Sequence, residues 1–219
     1  MRLSSRTRLV LLALAAALAA PGASARSLYV LTTDNRIALV DEAKPGLAAT
    51  TAVAVTGLNA GDVLMAIDVR PQNNHLYGLG YNASNSALQL YHLTVDAGAY
   101  RATAIGTPPA FVDALGAAAP VNAANGLGMD FNPAVDRLRV VTGSGQNFRL
   151  NPNTGAAIDG DLGGAAGSVA GVNMDGAINS GTTTLGDAAY TNNLANVTVT
   201  TLYTLDPTTG SLFIQNPPN

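Results

Sequence analysis

Two stretches of this chain are built on one template. Ile67-Asp68-Val69-Arg70-Pro71 and Met129-Asp130-Phe131-Asn132-Pro133 share the order apolar, Asp, apolar, Arg or Asn, Pro, and in each a Leu follows eight residues after the Asp, at Leu76 and Leu138. Such a repeat constrains the fold strongly, because a unit of this size cannot bury its apolar face alone and must stack on the next copy. Leu28-Tyr29-Val30 and Leu202-Tyr203-Thr204 carry the Leu element again without a clear Asp and Pro before it, so anchors fall at Leu28, Leu76, Leu138 and Leu202.

Each anchor leads into a second apolar stretch and a turn. Asn151-Pro152-Asn153-Thr154-Gly155 and Asp206-Pro207-Thr208-Thr209-Gly210 are the clearest turns, and Val95-Asp96-Ala97-Gly98 and Asp41-Glu42-Ala43-Lys44-Pro45-Gly46 are looser ones. Asp or Asn bonds nearby backbone, Pro presets φ and Gly accepts positive φ, the chemistry of chain reversal between strands. In the stretch from Arg137 to Val141, Leu138 and Val140 alternate with Arg137, Arg139 and Val141, which is the period of a strand. Strands are therefore predicted near 63–69, 75–80, 88–95 and 100–105, and again near 126–132, 137–142, 146–151 and 156–159. Only Ala110 to Ala119 reads as helical, a short connector confined by Pro108, Pro109 and Pro120.

Four short antiparallel strands per unit predict an all-β fold, a β-propeller-like array of four-stranded blades. After an N-terminal leader the chain is expected to be one repeat domain over residues 26–219, with units at about 28–58, 62–106, 126–162 and 186–219. The first unit resembles the last three strands of a blade and the final one the first strands of another. The array is therefore expected to be incomplete, as in a C-terminally truncated chain.

Composition bounds where such a chain works. Arg2, Arg6 and Arg8 precede the apolar run Leu9 to Ala20, followed by Pro21-Gly22 and Ala23-Ser24-Ala25. A positive segment, an apolar segment too short for the roughly 20 residues of a membrane span, and an A-x-A site together predict a signal peptide over residues 1–25, cleaved after Ala25. Secretion or the periplasm follows as the expected location. Cleavage removes three Arg and no acid, so net charge moves from −3 to −6. With Lys44 the single lysine, no field exists to hold a nucleic-acid backbone or an anionic membrane. The absence of Cys leaves stability to the core.

The run Met129-Asp130-Phe131-Asn132-Pro133-Ala134-Val135-Asp136-Arg137-Leu138-Arg139-Val140-Val141, continuing through Gly145-Gln146-Asn147-Phe148-Arg149-Leu150-Asn151-Pro152-Asn153-Thr154-Gly155, resembles the bacterial domain-of-unknown-function 4394 family. The likeness reaches back to Asp68-Val69-Arg70-Pro71 and Leu76-Tyr77-Gly78-Leu79, and forward to Leu202-Tyr203 and Ile214-Gln215-Asn216-Pro217-Pro218-Asn219. It implies an exported, propeller-like bacterial protein with no assigned activity, whose relatives continue beyond Gln-Asn-Pro-Pro with another Leu-Tyr unit. The family has no agreed catalytic residues, so the resemblance supplies none.

Motifs of known chemistry are mostly absent from the sequence. His75 and His92 are the two histidines, without Cys or an H-E-x-x-H pattern, which disfavours zinc. Ser144 in Thr142-Gly143-Ser144-Gly145-Gln146 lacks the first Gly of a nucleophile elbow and reads as a hairpin turn. Gly78-Leu79-Gly80-Tyr81-Asn82-Ala83 satisfies G-x-G-x-x-A, but a loop rather than a helix follows it. Asp159-Gly160-Asp161 with Gly163-Gly164 offers oxygens to calcium in a loop, yet nothing completes an EF-hand, and a solvated turn is favoured. No metal or cofactor is expected.

One cluster stands out in a chain with 11% charged residues, against roughly 25% in an average soluble protein. Asp130, Asn132, Asp136, Arg137, Arg139, Asn147, Arg149 and Asn151 lie within a short span. If Arg139 and Arg149 share a face, they form a bidentate site for a small anionic ligand, with Asp130, Asn132, Arg137 and Asn147 around it. The structural alternative, favoured here, is that Asp130 and Asp136 neutralise these Arg and fasten one unit to the next. Two functions follow: a non-enzymatic exported propeller binding a ligand or protein, which is favoured, or a propeller-type lyase or lactone hydrolase with a divalent metal in a central channel.

Overall fold

The computed structural model describes residues 27–43, 51–160, 167–176 and 184–215. The leader at 1–25, Lys44-Pro45-Gly46, Asp161 with Gly163 and Gly164, and Asn216 to Asn219 lie outside them. Every regular element among the described residues is a strand. In chain order these are β1 (Ser27–Leu31), β2 (Arg36–Asp41), β3 (Val53–Thr56), β4 (Val63–Arg70), β5 (His75–Asn82), β6 (Ala87–Asp96) and β7 (Ala99–Ile105). They continue as β8 (Leu127–Asn132), β9 (Arg137–Thr142), β10 (Asn147–Leu150), β11 (Ala157–Ile158), β12 (Asp187–Tyr190), β13 (Leu202–Asp206) and β14 (Ser211–Gln215). The strands expected from alternation are all present, the shortest being β11.

The turns work by the local chemistry expected of them. Asn132 Oδ1 accepts the Ala134 N–H at 2.9 Å, Asn151 Oδ1 the Asn153 N–H at 2.9 Å, and Asp206 Oδ1 the Thr208 N–H at 2.8 Å. The helix expected over Ala110–Ala119 is absent. Asp113 Oδ1 instead accepts the N–H groups of Leu115 and Ala117, Gly116 turns the chain at φ 82°, and Val112 bridges to Ala118 and Asn173. An aspartate that binds backbone ahead of it outcompetes alanine's helical propensity over so short a run.

β4 to β7 form an antiparallel meander, as do β8 to β11, and β12 to β14 form a third sheet. The unit boundary expected between β3 and β4 is bridged: β3 pairs in parallel with β7 through Val55 and Tyr100, and Thr56 and Arg101. Two sheet edges satisfy each other there. The result is a seven-stranded sheet in the order β1-β2-β3-β7-β6-β5-β4, which curls until β1 approaches β4 and nearly closes into a barrel. Its interior holds Ile37, Leu64, Leu76, Tyr91, Leu93 and Tyr100.

A second core lies between this sheet and β8–β11, where Tyr77, Leu79, Leu88 and Leu90 meet Met129, Phe131, Leu138, Val140 and Phe148. A third joins Val141 to Leu185, Ala188, Tyr190 and Leu202. β4, β8 and β12, the strands that open the two meanders and the third sheet, therefore lie in a row, with β8 packed against both others. Where they meet, the site forms.

Candidate functional site

Asp68 occupies β4 and Asp130 occupies β8 at the same register, facing Tyr77 and Arg139 of the neighbouring strands. Each carboxylate reaches forward to the next sheet. Asp68 Oδ2 accepts the Phe131 N–H at 3.0 Å, and Asp130 Oδ2 accepts the Tyr190 N–H in a short hydrogen bond. Each of these Asp residues thus latches one sheet to the backbone of the next. In β12 the corresponding position, opposite Tyr203, is Ala189, and the acid of that strand, Asp187, stands two residues earlier.

Asp68 and Asp130 lie close enough that the carboxyl of one can hydrogen-bond the other when a proton is held there, which favours one of the pair remaining neutral. Burial, reinforced by the bond to Asp68 and its charge, pushes the Asp130 carboxyl up to about 9. Burial raises Asp68 as well, opposed by its bonds to Asp130 and to the Phe131 and Val69 N–H groups. Burial likewise raises Asp187. The three acids line a cavity of about 470 Å³ whose apolar walls include Leu31, Met65 and Met129. Its lining is rich in carboxyl oxygens and includes no cationic side chain.

The cluster singled out in the sequence divides into separate settings. Asn132 serves the β8–β9 turn, and Arg137 donates to the Asp136 carbonyl at 2.9 Å beside it. Arg139 and Arg149 face each other across β9 and β10 and do grip a carboxylate, that of Asp175. Arg139 Nη1 donates to Asp175 Oδ2 at 2.5 Å, while Arg149 donates to both oxygens, from Nη2 to Oδ1 at 2.6 Å and from Nε to Oδ2 at 2.8 Å. Asn147 Oδ1 accepts from Arg139 at 2.7 Å, and Tyr190 Oη lies 3.3 Å from Arg139 Nε. Arg139 and Asp175 are each 1% exposed, so this knot is part of the interior.

Asp136 pairs with Arg70 of β4 rather than with a neighbouring Arg. Arg70 Nε donates to Asp136 Oδ1 at 2.7 Å and a second, shorter contact joins Nη2 to Oδ2, while Asn153 Oδ1 takes Nη1 at 2.8 Å. The fastening role expected of Asp130 and Asp136 is thus performed, but through a backbone amide and through Arg70. Asp175 and Asp187 were missed in the sequence. Asp175 lies in an irregular loop with no periodic signal, and Asp187 is displaced from the repeat position.

Other candidates take ordinary places. His75 and His92 stack with centroids 4.8 Å apart at the rim of the β5–β6 surface, where burial and the charge of His75 lower His92. Ser144 Oγ donates to the Asn122 carbonyl at 2.9 Å within a turn. Gly78 and Gly80 lie inside β5, where an added Cβ would meet Leu64 and the Tyr91 ring at under 3.0 Å. Asp159 accepts the N–H groups of Gly167 and Asn173, which occupies its carboxylate structurally. Among the described residues no group of three metal-ligating side chains is assembled and no helix is long and apolar enough to cross a membrane.

No curated protein and no solved structure matches the chain. The family described as a domain of unknown function, DUF4394, matches residues 36–219, which include all three acids of the cavity and both ion-pair knots. The chain belongs to the DUF4394 family.

Proposed function

We propose that this protein is an exported, non-enzymatic β-propeller-type scaffold that binds a ligand or protein partner where its first strands converge. The observation that carries the proposal is the row β4, β8, β12, latched by Asp68 and Asp130 and set around an acid-lined cavity. In a propeller the innermost strand of each blade lines a shared axis, and β4 and β8 each begin a four-stranded meander. Export rests on the leader at 1–25, and the expected mature N-terminus is Arg26.

A cavity lined by carboxyl groups and no cation selects a neutral or cationic ligand that donates hydrogen bonds. An anionic ligand at Arg139 and Arg149 would have to displace Asp175, a carboxylate already held by both guanidinium groups. The lyase or lactone hydrolase alternative would need Asp, Asn and His side chains from several sheets to converge on a divalent ion. Thermal unfolding separates the two readings. The melting temperature is expected to be the same with magnesium, calcium or zinc as with a chelator; a metal-dependent rise abolished by the chelator would replace the scaffold with the metal enzyme.

A further inference from the structure

Leu76 in β5, Leu138 in β9 and Leu202 in β13 each lie on the face of their sheet that is turned back toward earlier strands, and there they are 5%, 0% and 1% exposed. Three residues further on, strand alternation places Leu79 and Val141 on the opposite, forward face, where both are buried against the next sheet. β1 and β13 carry the same pair of positions with one half uncovered in each. Leu31 of β1 packs forward on the core around Ile37, but Leu28 is 49% exposed on the rear face, with Val30 exposed beside it. Leu202 of β13 is buried to the rear, but Leu205 is exposed on the forward face, with Leu212 and Ile214 of β14 alongside. None of the described residues covers either face.

We infer that copies of this chain assemble head to tail, the forward face of β12 to β14 in one copy receiving the rear face of β1 and β2 in the next. The inference goes beyond the ligand-binding reading and does not depend on what the cavity holds. A second copy is the occupant because the contact continues an interface already present within the chain. The forward faces of β1 to β3, of β4 to β7 and of β8 to β11 are each covered by the rear face of the strands that follow. The forward face of β12 to β14 is of the same kind, and β1 and β2 expose a rear face of the kind that covers it. Between β8 to β11 and β12 to β14, Val141 shares a core with Leu202. Carried between copies, that register sets Leu205 of one copy against Leu28 of the next. The two faces differ, so the contact is heterologous, and it builds a ring or a filament according to the rotation between copies.

Sedimentation equilibrium of the purified chain at rising concentration is expected to give a weight-average mass that climbs to at least twice that of the monomer. Two double variants block one face each: Leu28→Lys with Val30→Lys, and Leu212→Lys with Ile214→Lys. Each is expected to stay monomeric by itself. Mixed in equal amounts they are expected to form a dimer that grows no further, because one intact face of each kind remains to be matched. Leu28→Cys and Leu205→Cys give a second reading that keeps both faces apolar, in a chain that has no cysteine of its own. On mild oxidation the two cysteine variants are expected to crosslink to each other far more than either does to itself. A parent that stays monomeric, either lysine variant associating alone, or a mixture that does not dimerise overturns the proposal. So does a cysteine variant that crosslinks to itself as readily as to the other, the result of like faces pairing.

Discussion

The Asp130 carboxyl holds its proton to about pH 9 in the folded chain but releases it near 3.8 when free of its surroundings. Between those values the folded state binds a proton that the unfolded state has lost. Its contribution to stability is therefore whole below about 3.8, declines as pH rises and is gone above about 9, with a limiting slope of about 1.4 kcal/mol per pH unit. Asp130→Asn keeps an acceptor for Tyr190 and offers an N–H to Asp68 without a titrating proton. Urea unfolding at about pH 5 and about pH 8 is expected to show a falling stability in the parent and a flatter one in the variant, which should be the more stable at the higher pH. Asp175→Asn tests the other knot. It leaves Arg139 charged and buried, and the expected cost is about 3 to 5 kcal/mol by the same measurement. A loss under about 1 kcal/mol would mean that the pair behaves as if exposed.

At the scale of elements, the sheets depend on close backbone crossings as much as on side chains. Gly106, after β7, and Gly155, before β11, have φ of 63° and 70° and lie against each other's strands. A Cβ on Gly155 would stand 2.3 Å from the Ile105 carbonyl oxygen, and one on Gly106 would stand 1.9 Å from that of Thr154. Gly155→Ala is expected to cost about 2 to 4 kcal/mol, from positive φ and overpacking together. Gly98→Ala, at φ 80° with nothing within 4 Å, isolates the backbone contribution and should cost about 1 to 2 kcal/mol. Equal losses in denaturant titrations would remove the crossing as a cause. The strands around these glycines were legible because alternation and turn residues act over a few positions. The segment Ala110 to Ala119 was misjudged because its fate depends on Asp113 binding ahead along the chain and on Val112 bridging to Asn173.

Across the whole molecule, each sheet covers one face of its neighbour, and the sheet β12 to β14 has a face that none of the described residues covers. Leu205 pairs with Leu212 and Tyr203 with Ile214 on that face, and Leu205, Leu212 and Ile214 are 42%, 64% and 59% exposed. Its counterpart in β8 to β11, represented by Val141, is buried against β12 and β13. Leu212→Lys with Ile214→Lys is expected to reduce concentration-dependent light scattering while leaving unfolding within about 0.5 kcal/mol of the parent at each site. Unchanged scattering would show that association, if any, uses another surface. What the sequence by itself determined is the all-β plan, the family and the position of the latching Asp68 and Asp130, because strand period and turn chemistry are local properties. Only the tertiary structure decided that Arg139 and Arg149 close on Asp175, that Asp136 takes Arg70, that β3 joins β7, and that Asp68 and Asp130 meet. Those partners are distant in the chain, and which charges meet is set by sheet curvature and packing rather than by any spacing between residues.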